Sequence, residues 1–304
     1  MKTTPITTAD LEGSVISVPP LCRDAALQVD AAENAKLIRH IESGGVSTLL
    51  YGGNANFYNI ALGEYERVLT VLEEAAAANT WIVPSVGPFY GTAMDQAAVL
   101  ARHRFPTAML LPTLAVSSPK GVEDAVLRIS EKAGIPIVLY VKDPGYVTAR
   151  EVKNLVDAGV ISWIKYAVVR ADPAKDDLLQ SIVDVVDRSI VVGGIGEQPA
   201  LAHWHTFGLR TFTSGCVCVA PKRSQELLGA LHTGDFVRAE AIRIAFQKLE
   251  DLRNSHGPIP VLHTAVAEAG IAHTGPMLPL LSELSPDLRS TIREAARHTL
   301  EWNA

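Results

Sequence analysis

Lys165 and Tyr140 are the residues of this chain best suited to chemistry. Lys165 lies within Ser162-Trp163-Ile164-Lys165-Tyr166-Ala167-Val168-Val169, a stretch otherwise patterned as a buried β-strand. Tyr140 ends the preceding apolar run, Ile135-Pro136-Ile137-Val138-Leu139. Desolvation disfavours an ammonium and lowers its pKa, so a buried lysine offers a neutral amine as a nucleophile. Such an amine adds to a ketone and gives an imine. A neighbouring tyrosine can relay protons while the carbinolamine forms and collapses. The competing readings are a strand-end lysine that snorkels to water and a tyrosine that is simply a rim aromatic.

The elements that must position this pair follow a regular pattern. Short β-branched apolar runs at 14–18, 46–51, 81–85, 108–111, 137–140, 161–165, 190–192 and 211–214 read as strands. Amphipathic stretches at 30–42, 63–78, 93–102, 121–132, 149–157, 173–186, 199–205 and 222–231 read as the helices that follow them. Asp30 and Glu33 have capping-box spacing, and Pro173 and Pro199 suit a first helical turn. This alternation predicts an α/β fold, a (β/α)₈ TIM barrel, with a doubly wound sheet as the rival. Residues 1–10 read as an N-terminal extension, 11–233 as the barrel and 234–304 as a C-terminal helical appendage. The appendage carries helices at 235–253, 261–269 and 287–302, and the first two are parted by Ser255-His256-Gly257-Pro258-Ile259-Pro260. In a barrel, Tyr140 and Lys165 end neighbouring strands at the mouth where active sites form.

Composition narrows the partners. A hydrophobic fraction of 48% against 20% charged residues suits a large buried core. The net charge of −6, with no long basic run, argues against nucleic acid or an anionic membrane. The N-terminus lacks an apolar signal core and no apolar run is long enough to span a bilayer, so the chain reads as cytoplasmic. Cys22, Cys216 and Cys218 form no disulfide framework. Cys216 and Cys218 read as packing residues on one face of a strand. His203 and His205, two apart on a helix, face different ways and argue against a metal site. The chemistry proposed for Lys165 requires no metal or other cofactor.

Beyond the second strand, Tyr51-Gly52-Gly53-Asn54-Ala55-Asn56-Phe57-Tyr58 gives a backbone that a carboxylate can approach closely, with Asn54 as a possible donor. Taken with Lys165 and Tyr140, the chain resembles the dihydrodipicolinate synthase/N-acetylneuraminate lyase superfamily of imine-forming enzymes over nearly its whole length. Val18-Pro19-Pro20 is similar to the family's opening Thr-Pro strand end, and Gly52 to Phe57 take the place of its Gly-Thr-Thr-Gly-Glu loop. Tyr140-Val141-Lys142-Asp143-Pro144 resembles its Tyr-Asn-Val-Pro segment, and Ile164-Lys165-Tyr166-Ala167 its Ile-Lys-Glu-Ala. Gly257-Pro258-Ile259-Pro260-Val261 resembles the start of a C-terminal helix. The resemblance implies that Lys165 forms a Schiff base with a 2-oxo acid and that Tyr140 is proton relay or general acid/base. It implies that Gly53 and Asn54 hold the substrate carboxylate, that Gly194 and Ser214 line the pocket, and that the chain is a homo-oligomer, a dimer or tetramer.

The departures from that family refine the expectation. Gly53 and Asn54 replace its paired threonines, and Asn56 its glutamate. Thr113-Leu114-Ala115 lacks the tyrosine lent to a neighbouring subunit, and Gly145-Tyr146 stand where an arginine would hold aspartate semialdehyde. The loop also resembles the Gly-Gly-Thr-Gly-Glu-Phe-Phe loop of the ketodeoxyglucarate dehydratase branch. The expectation is therefore a synthase-like lyase, not the synthase itself, acting on a sugar-acid-like 2-oxo acid by retro-aldol cleavage or dehydration. Two alternatives stand beside it. Gly193-Gly194-Ile195-Gly196-Glu197 follows the seventh strand, where barrels often bind phosphate, which would suit a phosphosugar isomerase or aldolase. A catalytically degenerate ligand-binding barrel is the other.

Overall fold

Parallel strands buried on both faces need continuous apolar runs, and those runs become the staves of a closed barrel. The computed structural model describes residues 1–301. Strands β1 (Ile16–Ser17), β2 (Thr48–Leu50), β3 (Trp81–Val83) and β9 (Thr213–Ser214) form a four-stranded parallel sheet in the order β3-β2-β1-β9. Strands β4 (Ser85–Val86), β5 (Ala108–Leu110), β6 (Ile137–Val141), β7 (Ile161–Tyr166) and β8 (Val191–Gly193) form a five-stranded one in sequence order.

The two sheets are one barrel. β3 and β4 are halves of a single stave parted at Pro84, which has no N–H to give to a ladder but whose carbonyl accepts from Met109 at 2.8 Å. The single strand expected over 81–85 is therefore split by its proline. On the other side, Gly193 bridges Phe212 in parallel and closes β8 onto the β9 stave. Counted this way, the described residues give the eight staves of a (β/α)₈ barrel.

The outer helices are α2 (Ala31–Ser43), α3 (Leu62–Ala75), α4 (Tyr90–Leu100), α5 (Pro119–Ala133), α6 (Ala149–Asp157), α7 (Asp177–Val183), α8 (Ala200–Phe207) and α9 (Pro221–Thr233), with α1 (Thr8–Gly13) preceding the barrel. Asp30 caps α2 by accepting the Glu33 N–H, but Glu33 does not complete the box. Its carboxylate goes instead to Lys36 and to the His273 N–H. α7 starts later than 173, because Asp176 rather than Pro173 supplies the cap by accepting the Leu179 N–H. Pro199 is the N-cap of α8, one place ahead of the first turn.

Cys216–Cys218 form a 3₁₀ turn, not the strand expected for them. The chain leaves β9 at Gly215, whose Cα faces Leu262 and Asn54 so closely that a Cβ would stand 2.3 Å from the leucine Cδ1. Both thiols are fully buried.

The appendage consists of α10 (Phe236–His256), α11 (Pro258–Glu268) and α12 (Pro286–Glu301). α10 runs past 253 to His256, where Gly257 at φ +90° and Pro258 at the next first turn break the chain direction. Trp302, expected to end α12, lies outside the described residues. α10 packs on α8, α9 and α11, which brings its last turn over the loop after β8.

Candidate active site

Tyr140 and Lys165 face each other directly in the β6–β7 register. Each is followed by one more strand residue, so the pair sits just inside the C-terminal mouth of the barrel. Lys165 is only 4% exposed, and its Nζ lies 4.5 Å from the centroid of the Tyr140 ring. Among the described residues no acceptor takes a hydrogen bond from that Nζ. The amine therefore has no hydrogen-bond partner in the protein and faces the cavity.

Burial, and then the charges of Arg253 and Lys142, lower the Lys165 pKa from its ordinary 10.5 to about 7. Attraction of a cation to the Tyr140 ring opposes this by about 0.5–2 kcal/mol. A shift of this size corresponds to several kcal/mol, so burial and like charge win. Near neutrality a large fraction of the amine carries no proton. Burial pushes the Tyr140 hydroxyl the other way, up to about 12, with Asp143 adding to the rise and Arg253 opposing it. The phenol keeps its proton and is suited to donate it.

These side chains open onto a cavity of about 350 Å³. Asn54, Lys142, Gly194, Thr213 and Arg253 complete its working wall. The residues expected from the sequence are placed as follows. Asn54 lines the cavity, but its Nδ2 already donates to the Val18 carbonyl at 3.0 Å. Gly53 lies beside it in the turn, and the N–H groups of Gly53 and Asn54 find no acceptor among the described residues. The turn is held from within by Asn56, which adopts the left-handed conformation at φ +57° that asparagine tolerates. It is held from outside by His263 of α11, whose Nε2 is 3.0 Å from the Asn54 carbonyl. A carbonyl only accepts, so Nε2 carries the proton. Burial holds the imidazole neutral, with its pKa down at about 4.

Gly194 lines the cavity as expected. A Cβ there would stand 2.6 Å from the Ala167 Cβ and 2.7 Å from the Tyr166 carbonyl oxygen, and backbone cannot yield as a side-chain tip can. Gly194→Ala is expected to cost about 1–3 kcal/mol, read as a lowered denaturant midpoint with unchanged slope.

Ser214 does not line the pocket. Strand residues alternate, and it is Thr213 that faces the cavity. The Ser214 hydroxyl donates to Glu197 at 2.7 Å and accepts the Val217 N–H. Glu197 also accepts from Ser224, and its own N–H donates to Glu250 Oε1 at 3.0 Å. Both carboxyls are fully buried, which raises their pKa values, that of Glu250 well above the ordinary range.

The glycine loop after β8 is thus packed against these acids. The N–H groups of Gly193, Gly194 and Glu197 go to Thr211, Tyr166 and Glu250. Three of the loop's donors are thereby used, and only the N–H groups of Ile195 and Gly196 find no acceptor among the described residues, a smaller donor set than a phosphate cradle usually offers.

Sequence reasoning missed Arg253, His263, Lys142 and Thr213. For Arg253 a signal existed: Ile242, Phe246, Leu249 and Arg253 fall at helical spacing on one stripe, and the first three are fully buried. Among the described residues no group of three or more His, Cys, Asp or Glu side chains is placed to hold a metal ion. No described helix is long and apolar enough to cross a membrane.

The chain is 27% identical over 286 residues to a Rhizobium rhizogenes protein named "Probable 5-dehydro-4-deoxyglucarate dehydratase", covering 90% of this chain and 91% of that one. It is 24% identical to a protein of the same name from Azotobacter vinelandii, covering 91% and 92%. Its fold matches dihydrodipicolinate synthase from Oceanobacillus iheyensis with a TM-score of 0.82 at 21% identity, over 95% of this chain and 97% of that one. The Bacillus clausii synthase superposes with a TM-score of 0.79 at 22% identity, over 95% and 98%. The model of the dihydrodipicolinate synthetase family matches residues 14–295, and the chain belongs to that family.

Proposed function

We propose that the protein is a lyase that forms a Schiff base between Lys165 and a 2-oxo acid. The observation that carries this reading is the buried, unpaired Lys165 amine beside the Tyr140 ring at a cavity of substrate size. The neutral amine adds to the C2 carbonyl of the substrate. Proton donation from Tyr140 lets the carbinolamine hydroxyl leave as water, and a protonated imine results. That imine is an electron sink: a proton lost from C3 leaves its electron pair in an enamine. The enamine then expels a C4 hydroxyl, which takes a proton and departs as water. Cleavage of the C3–C4 bond instead would be the retro-aldol route.

The relatives' name favours dehydration of a sugar acid. The absence of a hydroxyl pair at Gly53 and Asn54, and the exposed Leu114 where the synthases carry a tyrosine, argue against dihydrodipicolinate synthesis. The free N–H groups of Gly53 and Asn54 would take the C1 carboxylate. Exposed Phe89, Tyr90, Leu114 and Val116 give the chain an apolar surface suited to self-association as a dimer or tetramer, which light scattering would measure.

Borohydride trapping tests the reading. Incubation with pyruvate and a panel of 2-oxo sugar acids, reduction, digestion and mass spectrometry should place an adduct on Lys165. An adduct elsewhere, or none in folded protein, would overturn the mechanism. An adduct without turnover of any compound would instead favour a ligand-binding barrel. The pH dependence follows from the lysine. Only the neutral amine reacts, so kcat/KM should rise with pH and level off above a midpoint near 7, not near 10.5. A pH–rate profile still climbing at pH 9 would contradict a buried amine.

A further inference from the structure

Two arginines of the described residues are more than nine-tenths buried, and their charges are treated differently. Arg23, 5% exposed, is neutralised by Glu64 at 2.6 Å. Arg253, 8% exposed, forms no ion pair with any carboxylate among the described residues. Its guanidinium is anchored only by neutral groups. Nη2 donates to the Ile195 carbonyl at 2.5 Å, and Nε and Nη2 donate to Asn254 Oδ1 at 3.2 and 3.0 Å. Nη1 finds no acceptor among the described residues.

The buried Glu250, one turn earlier on α10, and Glu197 feel the Arg253 charge, but neither comes within ion-pair distance of it, and burial raises the pKa of both. The Glu250 Oε1 is turned to the Glu197 N–H. A buried charge left without a counter-charge is costly, and a site that tolerates one is built for a ligand that brings the counter-charge with it. Arg253 lines the Lys165 cavity, where Lys142 adds a second cation at an exposed position.

Its place in the barrel says which part of a substrate it would meet. The Gly53–Asn54 turn follows β2, whereas Arg253 is bonded to the loop after β8, and β1 and β9 lie between those staves. The turn and the arginine therefore address different ends of one molecule. A cavity of about 350 Å³ admits a chain of about six carbons.

We propose that Arg253 is a specificity-determining residue that binds a second, distal carboxylate, so that the cavity selects 2-oxo acids that are dicarboxylates. This rests on the imine reading above. The glucarate in the relatives' name is itself a dicarboxylate, and what the inference adds is the residue that reads its distal end. Arginine suits the task, since its planar fork matches a carboxylate with two donors and keeps its charge when buried.

The test compares borohydride trapping of 2-oxoadipate with that of 2-oxohexanoate. Both have six carbons, and they differ in the distal carboxylate. Each is trapped by the same lysine, so the ratio of trapping efficiencies cancels effects on the amine. Wild-type protein should favour the diacid by about tenfold or more, the scale of a hydrogen bond to a charged group. Arg253→Met should bring the ratio near unity by losing the diacid. Arg253→Lys, which keeps the charge, should retain part of the preference and guards against a folding artefact in the methionine variant. Equal trapping of both acids by the wild type, or an unchanged ratio in Arg253→Met, would overturn the role of Arg253 alone. Failure of every 2-oxo acid to trap on Lys165 would overturn the imine reading and this inference with it.

Discussion

Lys165→Ala is expected to abolish turnover, with a loss on the order of 10⁴-fold or more, as when a covalent nucleophile is removed from a site whose other parts remain. The size follows from the geometry. The described residues place no other lysine on the wall of this cavity except Lys142, which is exposed and lacks the burial that lowers the Lys165 pKa. Steady-state rates on the true substrate, with borohydride trapping alongside, check it. Activity within about tenfold of the wild type would eliminate the imine.

Lys165→Met makes the companion measurement. It keeps the apolar stem and removes the amine, so folding should survive. In the wild type the lysine pKa is about 7 when folded and near its ordinary 10.5 when unfolded. Between those values the unfolded chain binds the extra proton, so stability rises with pH across that window. Below about pH 7 the cost of a buried ammonium is fully present. The methionine variant should therefore be more stable than the wild type at pH 6, by an amount that shrinks toward pH 10. Parallel denaturant curves at the two pH values measure the difference.

Tyr140→Phe should slow turnover by about 10²-fold or more, the usual scale for a lost general acid. The ring that lies under the Lys165 amine is retained in phenylalanine, so packing and the cation–π contact persist while the proton donor goes. Burial of this hydroxyl, with a pKa pushed up to about 12, makes it a donor at neutral pH and not a phenolate base. The loss should fall on kcat rather than on KM. An unchanged rate would reassign the proton transfer, with Thr213 and Lys142 among the other groups at the wall that carry an exchangeable proton.

Lys165 and Tyr140 were legible in the sequence because a strand imposes a two-residue period and a neighbouring strand fixes what lies opposite. A polar residue that breaks an apolar run stands out, and the barrel rule says which end of the run matters. Ser214 was named by the family resemblance, and no such pattern could correct it. Its strand is two residues long, too short for the pattern to declare which residue points inward, and Thr213 took the place. Cys216 and Cys218 were misplaced for a related reason, because the chain turns at Gly215 to fit beneath Leu262, a contact with a distant helix. Arg253 and His263 were harder still. Each reaches the mouth from a helix outside the barrel proper, and only the docking of α10 and α11 decides which of their residues arrive there. A charged residue on an apolar stripe was visible in the sequence, but its destination was not.

The same docking makes the barrel's site depend on helices that lie outside the barrel. A ribosome releases Lys165 well before it releases Arg253 or His263. Until the last helices settle over the barrel, one of the two cations that lower the lysine's affinity for its proton is absent. The amine then stays closer to its ordinary, protonated form, and the turn that would seat a carboxylate lacks its external prop. Residues that come late in the chain thus tune a group that lies far earlier in it.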